Sequence, residues 1–180
     1  MATTTVITQE RAALLLAIAI ERYNSRRFRD WAMRFRPYDP SVSTFFEELA
    51  QEELDHEQEL RGIYFRCFNE RAPDDISPPD ELIAFVRGLD ALKDHFFVIN
   101  SYVAQSLLEM AIKIERYTQR FYTEQRTKTM DPELSGIYHI LSEFEDEHEK
   151  ILLERLEEEQ INSIEHMVSE DHCLNQMQFM

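Results

Sequence analysis

Apolar side chains recur along most of the chain at alternating spacings of three and four residues, which places them on one face of a helix. Prolines at 37 and 40 and a proline-rich stretch at 72–79 interrupt this pattern. The pattern predicts an all-α protein with four long helices and a short connecting helix. The predicted ranges are 9–35, 41–69 with Ser41 or Ser43 as its N-cap, 80–92, 96–127 and 132–159.

Acidic and imidazole side chains stand within the apolar stripes of the long helices, where a bundle would otherwise place leucine. Two helices carry a Glu-x-x-His motif in the stripe, and the other two carry one glutamate each. Because residues three or four apart share a helix face, we expect all of these side chains to face the interior. They are Glu21 on the first helix, Glu53 and His56 on the second, Glu115 on the third, and Glu145 and His148 on the fourth.

An internal repeat relates the two halves of the chain. The sequence AIAIERY at 17–23 recurs as AIKIERY at 111–117, and a Glu-x-x-His motif follows each copy after a similar number of residues. The repeat predicts two helix pairs of the same plan that face each other across a pseudo-twofold axis. We expect this four-helix bundle to occupy residues 1–160, and residues 161–180 to be a C-terminal tail or a short docking helix.

The charge and the cysteine content narrow the class of function. The 180 residues carry a net charge of −16, which disfavours nucleic acid and anionic membranes as partners and attracts cations. No apolar run approaches the roughly 20 residues needed to cross a bilayer. Only two cysteines occur, without a CxxC motif, so a thiolate metal site is not expected and the chain is interpreted as cytoplasmic.

A buried cluster of four carboxylates and two imidazoles requires compensation. Burying each charge costs on the order of several kcal/mol, and carboxylates in close contact also repel one another. Two divalent cations carry four positive charges and would neutralise the four carboxylates. Oxygen and imidazole ligands without thiolate suit iron or manganese, and zinc is also possible. The spacing of the motifs predicts one metal ion for each Glu-x-x-His pair, with carboxylates from the other helices bridging.

The stretches at 46–56, 111–115 and 131–149 resemble the rubrerythrin branch of the ferritin-like superfamily, and the resemblance covers about residues 10–159. It implies a ferritin-like four-helix bundle that binds two iron ions through the six residues. One half of the site would be Glu21, Glu53 and His56, and the other half Glu115, Glu145 and His148. Thr118 stands where rubrerythrins carry an additional glutamate, and the chain shows no rubredoxin motif.

The function implied by this resemblance is a di-iron oxidoreductase that uses dioxygen or hydrogen peroxide, either as a ferroxidase in iron handling or as a peroxide scavenger. The resemblance does not specify the electron donor. We expect a homodimer. The repeat is equally compatible with a site formed within one subunit and with a domain-swapped site to which two subunits each contribute helices. The alternatives are a di-iron hydroxylase or oxygenase, which needs an apolar pocket for an organic substrate, and a non-catalytic metal-binding bundle.

Two residues near the motifs have competing interpretations. Tyr122 lies two turns after Glu115 and is either a hydrogen-bonding or redox residue beside the metals or, like its repeat counterpart Phe28, part of the core. Glu52 directly precedes Glu53 but lies off the stripe, so it is interpreted as part of a solvated face.

Overall fold

The computed structural model describes the backbone of residues 2–90 and 97–177 and the side chains of residues 8–87 and 97–164. Within these residues every regular element is an α-helix, which confirms the all-α prediction. None of the helices in the described ranges combines the length and the apolar character that crossing a bilayer requires. The helices are α1 (Ala2–Phe35), α2 (Pro40–Phe68), α3 (Asp80–Asp90), α4 (Ser101–Lys128) and α5 (Pro132–Met177).

The start of α2 differs from the prediction. Its N-cap is Asp39, and Pro40 occupies the first helical position, where a missing N–H costs nothing. Asp39 Oδ1 accepts hydrogen bonds from the backbone nitrogen atoms of Ser41 at 2.8 Å and Val42 at 3.2 Å. The predicted cap at Ser41 or Ser43 is therefore wrong, because an aspartate directly before a proline provides the same acceptor two positions earlier.

Asp39→Ala is expected to lower the free energy of unfolding by about 1 kcal/mol, because two backbone N–H groups lose their acceptor. For a chain of this size the midpoint of thermal unfolding should fall by about 2–4 °C. Asp39→Asn is the matched control, since an asparagine side chain caps nearly as well, and it should unfold close to the wild type. Equal losses in the two variants would show that the carboxylate charge matters and the cap does not.

Other helix ends also depart from the predicted ranges. α1 begins at Ala2, earlier than predicted, and α4 begins at Ser101 with Asn100 as its N-cap. α5 continues without a break to Met177, so the predicted helix end at residue 159 is wrong. The backbone therefore shows no interruption between residues 160 and 161. The side chains of the C-terminal segment are described only as far as residue 164, and Ile161 and Ile164 are exposed there; the docking prediction for the rest concerns side chains outside the described residues.

The four long helices form two antiparallel hairpins, α1–α2 and α4–α5, that face each other. Across the interface, α1 lies beside α4 and α2 lies beside α5. Asn24 of α1 donates a hydrogen bond to Thr118 of α4 at 3.1 Å, and these two residues occupy equivalent positions in the repeat. The short helix α3 packs on α4, where Phe85 contacts Tyr117. The observed arrangement agrees with two repeated helix pairs joined through a short helix.

An aromatic cluster anchors the α1–α2 hairpin between its loop and the middle of the bundle. Three rings of α1 recur at helical spacing, and each contacts Phe46 of α2 with a centroid distance of 5.5–5.9 Å. Such tilted and edge-on contacts add to the stabilisation from burial. The cluster holds the two helices in register, so the polar residues of α1 and α2 meet at the same height. Its members are Phe28, Trp31, Phe35, Phe45 and Phe46.

Candidate metal centre

All six predicted site residues point into the interior of the bundle. The four glutamates have no exposed surface, and the two histidines expose 4–8% of theirs. Each long helix contributes at least one of them, and the Glu-x-x-His pairs lie on facing turns of α2 and α5. A charged residue is almost never this buried without a partner. These residues are Glu21, Glu53, His56, Glu115, Glu145 and His148.

The six side chains form two overlapping groups, each able to hold a metal ion. Within each group the potential ligand atoms all lie within 4.8 Å of one another. The Glu21 position is formed by Glu21, Glu53, His56 and Glu145, and the Glu115 position by Glu53, Glu115, Glu145 and His148. Glu53 and Glu145 belong to both.

The shared residues differ from the arrangement predicted from sequence. We had expected two separate halves bridged by carboxylates from the other helices. Instead, the carboxylates common to both positions are Glu53 and Glu145, the glutamates of the Glu-x-x-His motifs, whereas Glu21 and Glu115 each belong to one position. The reason is the packing of α2 against α5, which brings these two glutamates to the centre of the bundle.

Both histidines turn the same ring nitrogen toward the carboxylates. His56 Nδ1 lies 3.9 Å from Glu21 Oε2, and His148 Nδ1 lies 3.2 Å from Glu53 Oε1 and 3.8 Å from Glu115 Oε1. Neither Nδ1 atom has a hydrogen-bond partner among the described residues. A neutral imidazole oriented in this way offers its Nδ1 lone pair to the centre of the cluster.

The buried oxygen atoms show that the cluster is incomplete as a hydrogen-bonding network. Both carboxylate oxygens of Glu53, Glu115 and Glu145 lack a hydrogen-bond partner among the described residues, as does Oε2 of Glu21. Buried polar groups are nearly always paired, and an unpaired buried carboxylate is costly. Hard oxygen and imidazole donors converging on one centre are the ligands that iron and manganese prefer. The donor set therefore fits divalent cations.

The electrostatics of the metal-free cluster lead to the same conclusion. Burial, followed by repulsion from Glu53, raises the pKa of Glu21 and of Glu145 well above the ordinary range. Burial by itself would lower the pKa of His148, but its interactions with Glu115, Glu52 and Glu53 outweigh burial and raise that pKa. Without cations the cluster therefore retains protons, which would be displaced when metal binds.

Tyr122 contacts the cluster directly. Its hydroxyl group donates a hydrogen bond to Glu21 Oε1, and its side chain is completely buried. Burial and the nearby charges of Glu21 and Glu145 raise the pKa of Tyr122, so the hydroxyl keeps its proton. The structure shows the hydrogen bond to Glu21, and the role of Tyr122 beside bound metals stays a prediction. Its repeat counterpart Phe28 packs in the aromatic cluster.

Glu52 lies on an exposed face, as the sequence predicts, but its carboxylate also contacts one of the site histidines. Its Oε2 atom lies 2.9 Å from His148 Nε2 on the facing helix, although about half of its side chain is exposed. Carboxylates commonly bind the outer nitrogen of a metal-ligating histidine and fix its tautomer. Glu52 lies one position before a stripe residue, which turns it toward the neighbouring helix. The position of Glu52 next to a stripe residue can be seen in the sequence. That it contacts His148 follows only from the packing of α2 against α5.

No carboxylate lies at the position where rubrerythrins carry an additional glutamate. Thr118 is buried there, accepts the hydrogen bond of Asn24 and donates one to the carbonyl oxygen of Ile114 at 3.1 Å. This polar pair joins α1 to α4 beside the cluster. It satisfies the threonine hydroxyl within the protein, so we do not count Thr118 among the candidate ligands.

Comparisons with known proteins do not place this chain in a family: no family model, no curated protein and no solved structure matches it. The resemblance to the rubrerythrin branch of the ferritin-like superfamily therefore stays a prediction that rests on the motifs. The predicted homodimer, the electron donor and the cytoplasmic location stay predictions as well. The arrangement of the buried residues is the observation from which a function can be argued.

Proposed function

We propose that this chain is a di-iron oxidoreductase of the ferritin-like type, which reacts with dioxygen or hydrogen peroxide. The observation that supports this proposal most strongly is the pair of overlapping ligand groups that share Glu53 and Glu145. Two divalent cations bound there would neutralise four buried carboxylates that otherwise lack partners. Shared carboxylates hold two metal ions close enough to act on the same small molecule.

The chain's own residues have distinct roles in this proposal. Glu53 and Glu145 would bind both ions, whereas Glu21 with His56 and Glu115 with His148 would each complete one position. Tyr122 holds one oxygen of Glu21, and the surrounding apolar core excludes bulk water. When bound, a ferrous pair supplies the two electrons that, with two protons, convert hydrogen peroxide to two water molecules or dioxygen to hydrogen peroxide.

The position of an apolar cavity in the described part of the chain favours small oxidants over a large organic substrate. This cavity, of about 560 Å³, opens where α1 begins and α4 ends, and its lining includes Leu16, Phe121 and Tyr138. None of the six site residues lines it. Tyr138 precedes Glu145 by seven residues, or about 10 Å along the helix axis. A substrate bound there would not touch the metals, so hydroxylation of an organic molecule is the less favoured alternative.

Anaerobic titration with ferrous iron is expected to reach two ions per chain. Addition of dioxygen or of hydrogen peroxide to the loaded protein should then oxidise the iron, which optical absorption in the near ultraviolet records. Comparison of the two oxidants at equal concentration separates a ferroxidase from a peroxide scavenger by rate. Binding without accelerated oxidation by either one would favour the non-catalytic metal-binding bundle.

His56→Ala should lower the stoichiometry from two ions to about one, because only the Glu21 position contains this histidine. Far-ultraviolet circular dichroism should stay helical, since the helices are held by the apolar core. His139→Ala is a suitable control, because His139 is a partly exposed histidine of α5 that contacts Arg126. Two ions per chain in His56→Ala would contradict the assignment of His56 as a ligand.

A further inference from the structure

The repeat supplies equivalent ligands to the two metal positions but surrounds them with different neighbours. Glu21 corresponds to Glu115, and His56 corresponds to His148. Around these pairs, however, the residues that occupy equivalent places in the two halves are chemically unlike. The first difference is in the side chains that contact the two histidines on the side facing away from the cluster. The second is in the side chains next to Glu21 and Glu115, the glutamates that belong to only one metal position each.

The first difference lies behind the histidines. Each site histidine is contacted by the residue that precedes the glutamate of the opposite Glu-x-x-His motif. For His148 that residue is Glu52, whose carboxylate lies 2.9 Å from the outer ring nitrogen. For His56 it is Phe144, whose ring centroid lies 5.2 Å from that of the imidazole. A carboxylate on the outer N–H makes an imidazole a stronger donor, whereas a phenyl ring does not.

The second difference lies behind the glutamates. Tyr122 donates a hydrogen bond to one carboxylate oxygen of Glu21. The equivalent of Tyr122 in the other half is Phe28, which has no hydroxyl group. Both oxygens of Glu115 are accordingly without a hydrogen-bond partner among the described residues. Tyr122 therefore fixes one oxygen of Glu21, whereas neither oxygen of Glu115 is held by another side chain in the described part of the chain.

We propose that the two metal positions are inequivalent, and that the Glu115 position, backed by Glu52, binds its ion first and more tightly than the Glu21 position. The first difference sets the order, because Glu52 strengthens His148 whereas only a phenyl ring contacts His56. The second leaves both oxygens of Glu115, but only one of Glu21, without a partner among the described residues. Glu52 is in this scheme a positioning residue, since it acts through His148 and does not contact the metal. The proposal rests on the two-metal function proposed above.

The charge of Glu52 acts mainly on one of the two histidines. Its carboxylate lies 2.9 Å from His148 Nε2, whereas the side chain that contacts His56 in the equivalent place is the phenyl ring of Phe144. The attraction that Glu52 contributes is therefore concentrated at the Glu115 position. About half of its side chain is exposed, so replacing it should leave the packing of α2 against α5 intact.

Isothermal titration with ferrous iron under argon tests the proposal in the full-length protein. The wild type should bind in two steps, with the first dissociation constant at least about tenfold below the second. His148→Ala should eliminate the tight step and His56→Ala the weak one, which assigns each step to a position. Glu52→Leu should weaken the tight step by about 10–100-fold and leave the weak step nearly unchanged.

Graded and control variants separate the role of Glu52 from an effect of charge alone. Glu52→Gln, which keeps an acceptor but not the charge, should weaken the tight step less than Glu52→Leu. Tyr122→Phe should alter the weak step and leave the tight step nearly unchanged, because Tyr122 hydrogen-bonds to Glu21. Glu48→Leu and Glu48→Gln change an exposed glutamate one turn earlier on the same helix and should alter neither step.

The possible outcomes distinguish this inference from the function on which it rests. Two steps of equal affinity, or a tight step that disappears in His56→Ala, would overturn the proposed order while leaving the two-metal centre in place. Equal weakening by the Glu52 and Glu48 variants would overturn the role of Glu52. Fewer than two ions in the wild type would contradict the proposed function itself.

Discussion

Glu145→Gln is expected to remove both metal ions and, at the same time, to stabilise the metal-free protein. Glu145 is shared by the two metal positions, so losing its charge affects both of them. In the metal-free state its carboxyl group is buried among other glutamates, which raises its pKa well above the ordinary range. A neutral amide of the same shape relieves both the burial and the repulsion. Function and stability are thus opposed at this residue.

The measurements for this variant are the metal content after anaerobic iron loading and the thermal unfolding midpoint in chelator. We expect less than one ion per chain and a gain of about 1–3 kcal/mol without metal, which corresponds to roughly 2–4 °C for each kcal/mol. The matched control is Glu147→Gln, which makes the same charge change at an exposed position of the same helix. A Glu145→Gln variant that retains two ions, or unfolds several degrees earlier without metal, would contradict the buried-cluster argument.

The metal-free and metal-loaded proteins should respond to pH in opposite directions. Without metal, the folded state holds protons on Glu21 and Glu145 that the unfolded chain releases above pH about 4.3. The raised pKa of His148 acts in the same sense above pH about 6.5. Because the folded state binds more protons, its stability is highest in acid and falls as the pH rises. Each such group contributes about 1.4 kcal/mol per pH unit between its two pKa values.

Metal binding reverses this dependence, since the ligands must lose their protons before they can coordinate. Stabilisation by iron should therefore grow from pH 5 to pH 8, and below pH about 5 the metal should dissociate. Thermal unfolding at a series of pH values, in chelator and with excess ferrous iron under argon, should give two curves that diverge as the pH rises. Metal-free stability that increases from pH 5 to pH 7 would contradict the prediction.

The acidic surface also affects how the stability of the metal-free protein depends on pH, and this effect must be separated from that of the buried cluster. The net charge of −16 also destabilises the metal-free protein as carboxylates ionise, and this repulsion has the same sign. Glu145→Gln removes one buried titrating group and should flatten the metal-free pH curve. Glu147→Gln removes one exposed charge and should leave the slope nearly unchanged, so the difference between the two variants reports the contribution of the cluster.

Much of the candidate site follows from periodicity, for a physical reason. A helix repeats every 3.6 residues, so a glutamate within an apolar stripe must face the same interior as its apolar neighbours. This rule correctly places Glu21, Glu53 and the other four residues in the interior, and the repeat indicates that they come from two equivalent helix pairs. Helix ends are less well determined: the sequence favoured Ser41 or Ser43 as the N-cap of α2, whereas the structure has Asp39, directly before Pro40.

What the amino-acid sequence alone determined is therefore the helical class, the four stripes and the six carboxylate and imidazole residues of the buried cluster, because each depends on spacing within a single helix. Only the tertiary structure decided which carboxylates are shared, that Tyr122 bonds to Glu21, and that Glu52 rather than a second aromatic ring lies behind His148. Those relations depend on how two helices far apart in the chain are paired and rotated. No local pattern contains that information.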